Sequence, residues 1–258
     1  MKITTFITGC ALALAVLLFA QKHRPEATPV TFHGVVDLTR TDPSSSDSLL
    51  ASTRRGEQTD TGTRKMASAG SILRSTSTAT RIEAPALYAK SLWTVDQIPP
   101  ERLVGQLAVL DVRAEVKNNP GYEISMDDIM RWEKANGQIP LGAVVVAETG
   151  WKPGKSIDEK TGAKQLPQVP GYSGEAAKFL VEARNVRGLG IDAPRLHFGT
   201  GSSWNSPVSQ YTLSHSVYHL ENIASLERVP ATGAVVMVAP MKLQGRADGP
   251  VRVLALVK

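Results

Sequence analysis

The sequence predicts an α/β fold, on two observations. Compact aliphatic runs dominated by Val recur at residues 107–112, 143–147, 234–239 and 251–257. Runs this short and continuous suit strands buried on both faces. Between the second and third lies a helix-like segment, another sits between the first and second, and strands interleaved with helices argue for layered α/β packing.

Taken in order, the elements begin with a strand at residues 35–39. The first helix starts after Ser125, whose hydroxyl can accept from the backbone N–H groups of the first turn, and Ile124 and Ile129 are spaced as a hydrophobic staple. Met126, Ile129, Met130 and Trp132 supply its apolar contacts, and Gly137 ends it. The second helix starts at Ser173, carries Glu175 near its positive end, runs through Ala176, Ala177, Leu180, Val181 and Arg184, and is expected to stop at Gly188. The stretch 42–80 is rich in Ser, Thr, Arg and Gly with few bulky apolar residues, which reads as surface loops. No internal repeat and no second domain boundary is evident, so residues 31–258 read as one domain. Apolar residues are 42% of the chain and aromatic residues only 5%, so aliphatic side chains must build the core.

The N-terminus reads as an export signal. Met1 and Lys2 give a positive start, and residues 6–20 are an almost unbroken apolar run, too short to span a bilayer, which takes about 20 residues. Cleavage after Ala20 would leave residues 21–30 as a linker, with a periplasmic or secreted mature protein. Lys22, His23 and Arg24 keep an uncleaved anchor as the alternative. Cys10 is the single cysteine, so the mature domain has no disulfide framework and no thiol nucleophile. The formal charge of +5 comes from scattered residues with no dense basic run, so no nucleic-acid partner is expected.

Several signatures are absent: a glycine-rich nucleotide loop, a Gly-x-Ser-x-Gly elbow and a Cys-based zinc motif. One stretch does carry a pattern. Ser77-Thr78-Ala79-Thr80-Arg81-Ile82-Glu83-Ala84-Pro85-Ala86-Leu87-Tyr88 is followed by Trp93-Thr94-Val95-Asp96-Gln97-Ile98-Pro99 and by a run ending Leu110-Asp111-Val112. This order resembles the cyclase family, amide and lactam hydrolases that include bacterial kynurenine formamidases and isatin hydrolases. Their signature reads His-x-Gly-Thr-His-x-Asp-x-Pro-x-His. Asp37-Leu38-Thr39, Thr149-Gly150-Trp151, Gly188-Leu189-Gly190-Ile191-Asp192, Leu220-Glu221-Asn222-Ile223 and Gly249-Pro250-Val251-Arg252 also fall in family order, over roughly residues 35–258. The resemblance implies a single domain with a mixed central β-sheet layered with helices, of the swivelling β/β/α type, and a homodimer.

The departures bear on function. Ser77 stands where the family has its first metal-binding His, Ala79 replaces the Gly, Arg81 the second His, Glu83 the Asp and Leu87 the final, proton-moving His. Ser209 stands at a further family His position, and Glu221 at the last carboxylate ligand. Zinc or manganese needs imidazole nitrogens and carboxylates at about 2.0–2.2 Å, and Arg cannot ligate because its guanidinium stays protonated. No cofactor is therefore expected, with zinc or manganese returning only if hydrolysis survives. Glu83 and Glu221 facing each other at about 4 Å would repel by about 4 kcal/mol at an effective dielectric near 20. If the family geometry holds, Arg81 is a candidate fixed substitute for the metal's charge; the alternative is an Arg on an exposed loop with no structural partner.

His215 and His219 are four apart and would share a face in a helix, which offers a relocated metal site. The preferred reading has one packed and the other on the surface. His33 and His197 read as isolated. Trp93, Trp151 and Tyr88 are candidate ligand-pocket residues. Ser77, Thr78 and Thr80 have no base beside them in sequence. Three functions stay open: a pseudoenzyme that binds a small aromatic amide or lactam, a hydrolase rebuilt around Glu83 and Glu221, and a non-catalytic interaction module.

Overall fold

Val-rich segments and the caps between them fold as an eight-stranded mixed sheet with helices on its outer face. The computed structural model describes residues 31–41, 79–152, 168–198 and 206–258. The stretch 1–20 read as an export signal, most of the polar stretch 42–80 and Ser77 therefore lie outside the described residues. The folded unit spans Phe32–Lys258. In chain order its elements are β1 (Gly34–Asp37), β2 (Arg81–Glu83), β3 (Val104–Asp111), α1 (Arg113–Asn118), β4 (Glu123–Ile124), α2 (Met126–Asn136), β5 (Val144–Glu148), β6 (Gly171–Tyr172), α3 (Gly174–Arg184), β7 (Gly188–Ile191), α4 (Pro207–Ser214), β8 (Tyr218–Glu221), β9 (Ala234–Pro240) and β10 (Asp248–Val257).

The strand order is β1-β10-β2-β8-β7-β5-β3-β9, and β9 also pairs with β10. The sheet thus closes into a barrel, with β1 and β2 lying end to end along β10. Strands β3, β5, β7 and β8 run parallel to one another, while β2, β9 and β10 pair antiparallel with their neighbours. Ile82, Val109, Val146, Leu220, Val236 and Val253 fill the barrel. On the outer face, Leu110, Val145 and Leu189 pack under Ile129, Leu180 and Val208 of the helices. Two cores on either side of one sheet explain why β5 is buried along its whole length.

Burial on both faces does not extend to the last two strands. In β9 and β10 buried residues alternate with partly or fully exposed ones, the pattern of strands covered on one face only. Their Val-rich composition reflects barrel filling and β-propensity.

Helix α2 starts at Ser125, which accepts from Asp128 N–H while the Asp128 side chain accepts from the Ser125 N–H. Gly137 closes it at φ +85°. Ile129 and Trp132 face the core, whereas Met130 points to solvent, one position off the buried stripe. The end of α3 differs from the sequence reading: Asn185 closes it in the left-handed region at φ +46°, leaving Gly188 free to open β7. A Cβ at Gly188 would sit 2.3 Å from the Tyr218 ring, so the first Gly of Gly-Leu-Gly makes room for a buried aromatic inside the barrel.

Candidate active site

The β2–β8 register assembles the site. Arg81 pairs with Glu221, Ile82 with Leu220 and Glu83 with His219. Because strand side chains alternate between faces, Ile82 and Leu220 enter the barrel while Arg81, Glu83, His219 and Glu221 emerge together on the helical side. Asp248 of β10, opposite Glu83, joins them.

Arg81 is the hub. Its Nη2 lies 3.4 Å from Glu83 Oε1 and 3.2 Å from Asp248 Oδ2, and its Nε lies 3.7 Å from Glu221 Oε2. The guanidinium side chain is 21% exposed, while Glu83 and Glu221 are 3% and 1% exposed. A partly open cation thus sits over two closed-off carboxylates.

His219 is held at both ring nitrogens. Nδ1 faces Glu83 Oε2 at 3.2 Å, and Nε2 faces Thr212 Oγ1 of α4 at 2.6 Å. The hydroxyl–imidazole–carboxylate order is that of a nucleophile triad, but Thr212 is wholly buried, so the chain orients His219 and Glu83 without presenting a nucleophile.

The two carboxyls are driven apart electrostatically. Burial pushes Glu83 up, but the His219 hydrogen bond and charge, with Arg81 and His197, outweigh it and hold Glu83 below the usual glutamate range. Burial and then repulsion from Glu83 push Glu221 well above that range, against Arg81 and Arg195. Among the described residues Glu221 Oε1 is buried with no hydrogen-bond partner. The arrangement is therefore one carboxyl held below the usual glutamate range, one pushed above it, and a guanidinium between them.

The remaining sequence motifs brace this end of the sheet. Asp192, at the end of β7, accepts from the N–H of Thr149 at 3.1 Å and of Gly150 at 2.7 Å, and from the Thr149 hydroxyl. Arg40 Nη2 donates to the Asp192 carbonyl at 3.3 Å. Asn222 Nδ2 donates to Ala79 O at 3.0 Å, and the Thr80 hydroxyl donates to Asn222 O at 2.7 Å. These contacts fix the loop before β2 against the end of β8, at the carboxyl ends of the parallel strands.

Of the candidate residues, the structure brings Arg81, Glu83 and Glu221 together. It separates His215 from His219: the first is exposed at the end of α4 against Tyr211, the second is buried on β8, so they do not share a helix face. Trp93 lies at the opposite end of the parallel strands, under Arg102. Tyr88 is 51% exposed. Trp151 packs on the outer core and donates from Nε1 to Gln168 O at 2.9 Å. Ser209 is buried on α4, its carbonyl 3.3 Å from Thr212 Oγ1. The sequence reading missed Asp248, His197 and Arg195. Asp248 directly precedes the recognised Gly249-Pro250 motif, which was signal enough. His197 and Arg195 sit on the segment after β7 and carry no local signature.

A divalent ion does not fit these side chains. The carboxylates that could hold one face a guanidinium, and both nitrogens of His219 are engaged. Among the described residues no group of three or more His, Cys, Asp or Glu is placed to bind a metal.

Comparison with known proteins gives the lineage. The model of the putative cyclase family matches residues 24–197. A curated relative, the isatin hydrolase of Roseibium aggregatum, is 28% identical over 166 residues, and the alignment spans 63% of each protein's length. Isatin hydrolase A from Labrenzia aggregata, solved with benzyl benzoate, is 32% identical at a TM-score of 0.62, covering 70% of this chain and 73% of that one. Isatin hydrolase A from Ralstonia solanacearum is 31% identical at a TM-score of 0.61, covering 70% and 72%. An isatin hydrolase bound to the product analogue thioisatinate is 25% identical at a TM-score of 0.60, over the same shares of 70% and 72%. With a family match over more than half its length and the same fold as these hydrolases, the chain belongs to the cyclase family.

Proposed function

We propose that this protein is an exported cyclase-family pseudoenzyme that binds a small aromatic amide or lactam and has lost metal-dependent hydrolysis. The observation that carries the reading is the position of Arg81, its guanidinium 3.2–3.7 Å from the carboxylates of Glu83, Glu221 and Asp248. Where a hydrolytic ion would polarise a carbonyl and lower the pKa of a bound water, this chain has a cation with no open coordination position. A guanidinium supplies charge and hydrogen-bond donors; it does not activate water. The lactam ligand class rests on the relatives, isatin hydrolases by name, of which one was solved with thioisatinate. The family resemblance also carries a homodimer, which sedimentation velocity checks.

One observation favours a second reading, a metal-free hydrolase. Burial and repulsion from Glu83 push Glu221 well above the usual glutamate range, and its Oε1 is unpartnered among the described residues. A buried neutral carboxyl in that state can donate a proton to a leaving nitrogen.

The experiment that separates the readings is calorimetric titration of isatin into chelator-treated protein, with absorbance followed for ring opening. Binding without ring opening, unchanged by chelator, is the expected result. Ring opening that persists in chelator and disappears in Glu221→Gln supports the hydrolase. Ring opening abolished by chelator and restored by zinc or manganese overturns the primary reading.

A further inference from the structure

A second site lies at the opposite end of the parallel strands from Arg81. A cavity of about 420 Å³ opens beside the starts of β5 and β7, walled by Trp93, Pro99, Glu101, Leu141, Arg102 and Arg187, within the size range of small-molecule sites.

Its two guanidinium groups are fixed by backbone carbonyls. Arg187 Nη1 donates to Glu101 O and, at 3.0 Å, to Val104 O. Arg102 Nη2 donates to Ser216 O at 2.9 Å, and its Cζ lies 5.4 Å from the centre of the Trp93 ring. Arg102 Nε is buried with no hydrogen-bond partner among the described residues. Neither guanidinium has an ion-pair partner among the described residues. Glu101 meets Arg187 through its carbonyl, and among the described residues its carboxylate makes no ion pair with either guanidinium. Burial, with the like charge of Arg187, lowers the pKa of Arg102, against Tyr218 and Glu101. Two guanidinium groups therefore share a cavity with a single carboxylate, that of Glu101, whose charge acts on Arg102 without a direct ion pair among the described residues.

We propose that this cavity binds a small aryl carboxylate, its oxyanion paired with Arg102 and Arg187 and its ring against Trp93 and Leu141. The guanidinium fork matches a carboxylate geometrically. The indole, proline and leucine walls give an aromatic body a surface that inorganic phosphate lacks. The proposal does not depend on the activity assigned to the Arg81 site.

The test is calorimetric titration of the full folded chain with benzoate, benzamide and inorganic phosphate. Benzoate is expected to bind with a Kd of about 1 mM or tighter. Benzamide, of the same shape without the charge, should bind at least about tenfold more weakly, the scale of one charge-assisted hydrogen bond. Phosphate should be weaker than benzoate. Arg187→Gln should weaken benzoate by about tenfold or more. Arg102→Lys, which keeps a charge but loses the fork, provides a second reading if Arg187→Gln fails to fold, and should also weaken it. No saturable benzoate binding, or binding unchanged in both variants, overturns the proposal. Phosphate binding as tight as benzoate overturns its aryl part. Benzoate binding that survives Arg187→Gln and is lost in Arg81→Gln would belong to the other end of the sheet and also overturns it.

Discussion

Replacing Arg81 with Ala removes the cation from a site where two carboxyls are almost wholly shielded, 3% and 1% exposed. Breaking a fully buried pair costs about 3–5 kcal/mol, and an exposed one about 1 kcal/mol or less. Here the guanidinium is one-fifth exposed, at 21%, so solvent screening takes part of the upper figure. Glu83 also keeps its His219 partner at 3.2 Å, and the upward shift of Glu221 eases its repulsion with Glu83. The expected loss is therefore about 2–3 kcal/mol near neutral pH. For a chain of this size that is a fall in Tm of roughly 4–12 °C.

The pH dependence has a defined sign. Glu83 is depressed in the folded state, so it contributes stability above the usual glutamate pKa and loses it as pH falls through its lower, folded value. Part of that depression comes from Arg81. The difference between wild type and Arg81→Ala should thus be full at neutral pH and shrink through the acid end of the carboxylate range. Urea unfolding followed by circular dichroism across that range measures it. A loss below about 0.5 kcal/mol, or one that grows as pH falls, would refute the claim that Arg81 serves the carboxylates.

Glu221→Gln should be neutral or stabilising near neutral pH, because Glu221 is raised in the folded state and its contribution is lost as pH rises; destabilisation above about 2 kcal/mol in urea unfolding would contradict this. Thr212→Val removes the 2.6 Å contact to His219 and should cost about 1–2 kcal/mol by the same measurement, with the Glu83 dependence weakened. Gly188→Ala places a Cβ 2.3 Å from the Tyr218 ring and should cost about 1–3 kcal/mol or more, seen as a lowered Tm. Export predicts a mature N-terminus near Gln21, which mass spectrometry of the secreted or periplasmic fraction reads directly; an intact Met1-containing chain in the membrane points to an anchor.

Local signals were readable in the sequence and distant pairings were not. Ser125 and Ser173 declare helix starts because a cap depends on residues within one turn. The Val runs mark strands, but β9 and β10 look like fully buried strands because composition carries no information on which face a neighbour covers. Barrel closure depends on β9 reaching both β3 and β10, contacts between segments far apart in the chain. The same limit applies to the site. Arg81, Glu83 and Glu221 were found through ordered motifs, whereas Asp248 joins by register across β10 and His197 by a loop. The reading of His215 and His219 as one surface and one packed residue holds, because the helix ends at Ser214 and the shared-face periodicity does not reach His219.

Metal content tests the central claim most directly. Protein purified at neutral pH, incubated with zinc or manganese and then desalted, should hold far less than one ion per chain by elemental analysis. Near one ion per chain, lost in Glu83→Gln or Glu221→Gln, would show that the carboxylates bind a metal with Arg81 in place, and would contradict the account.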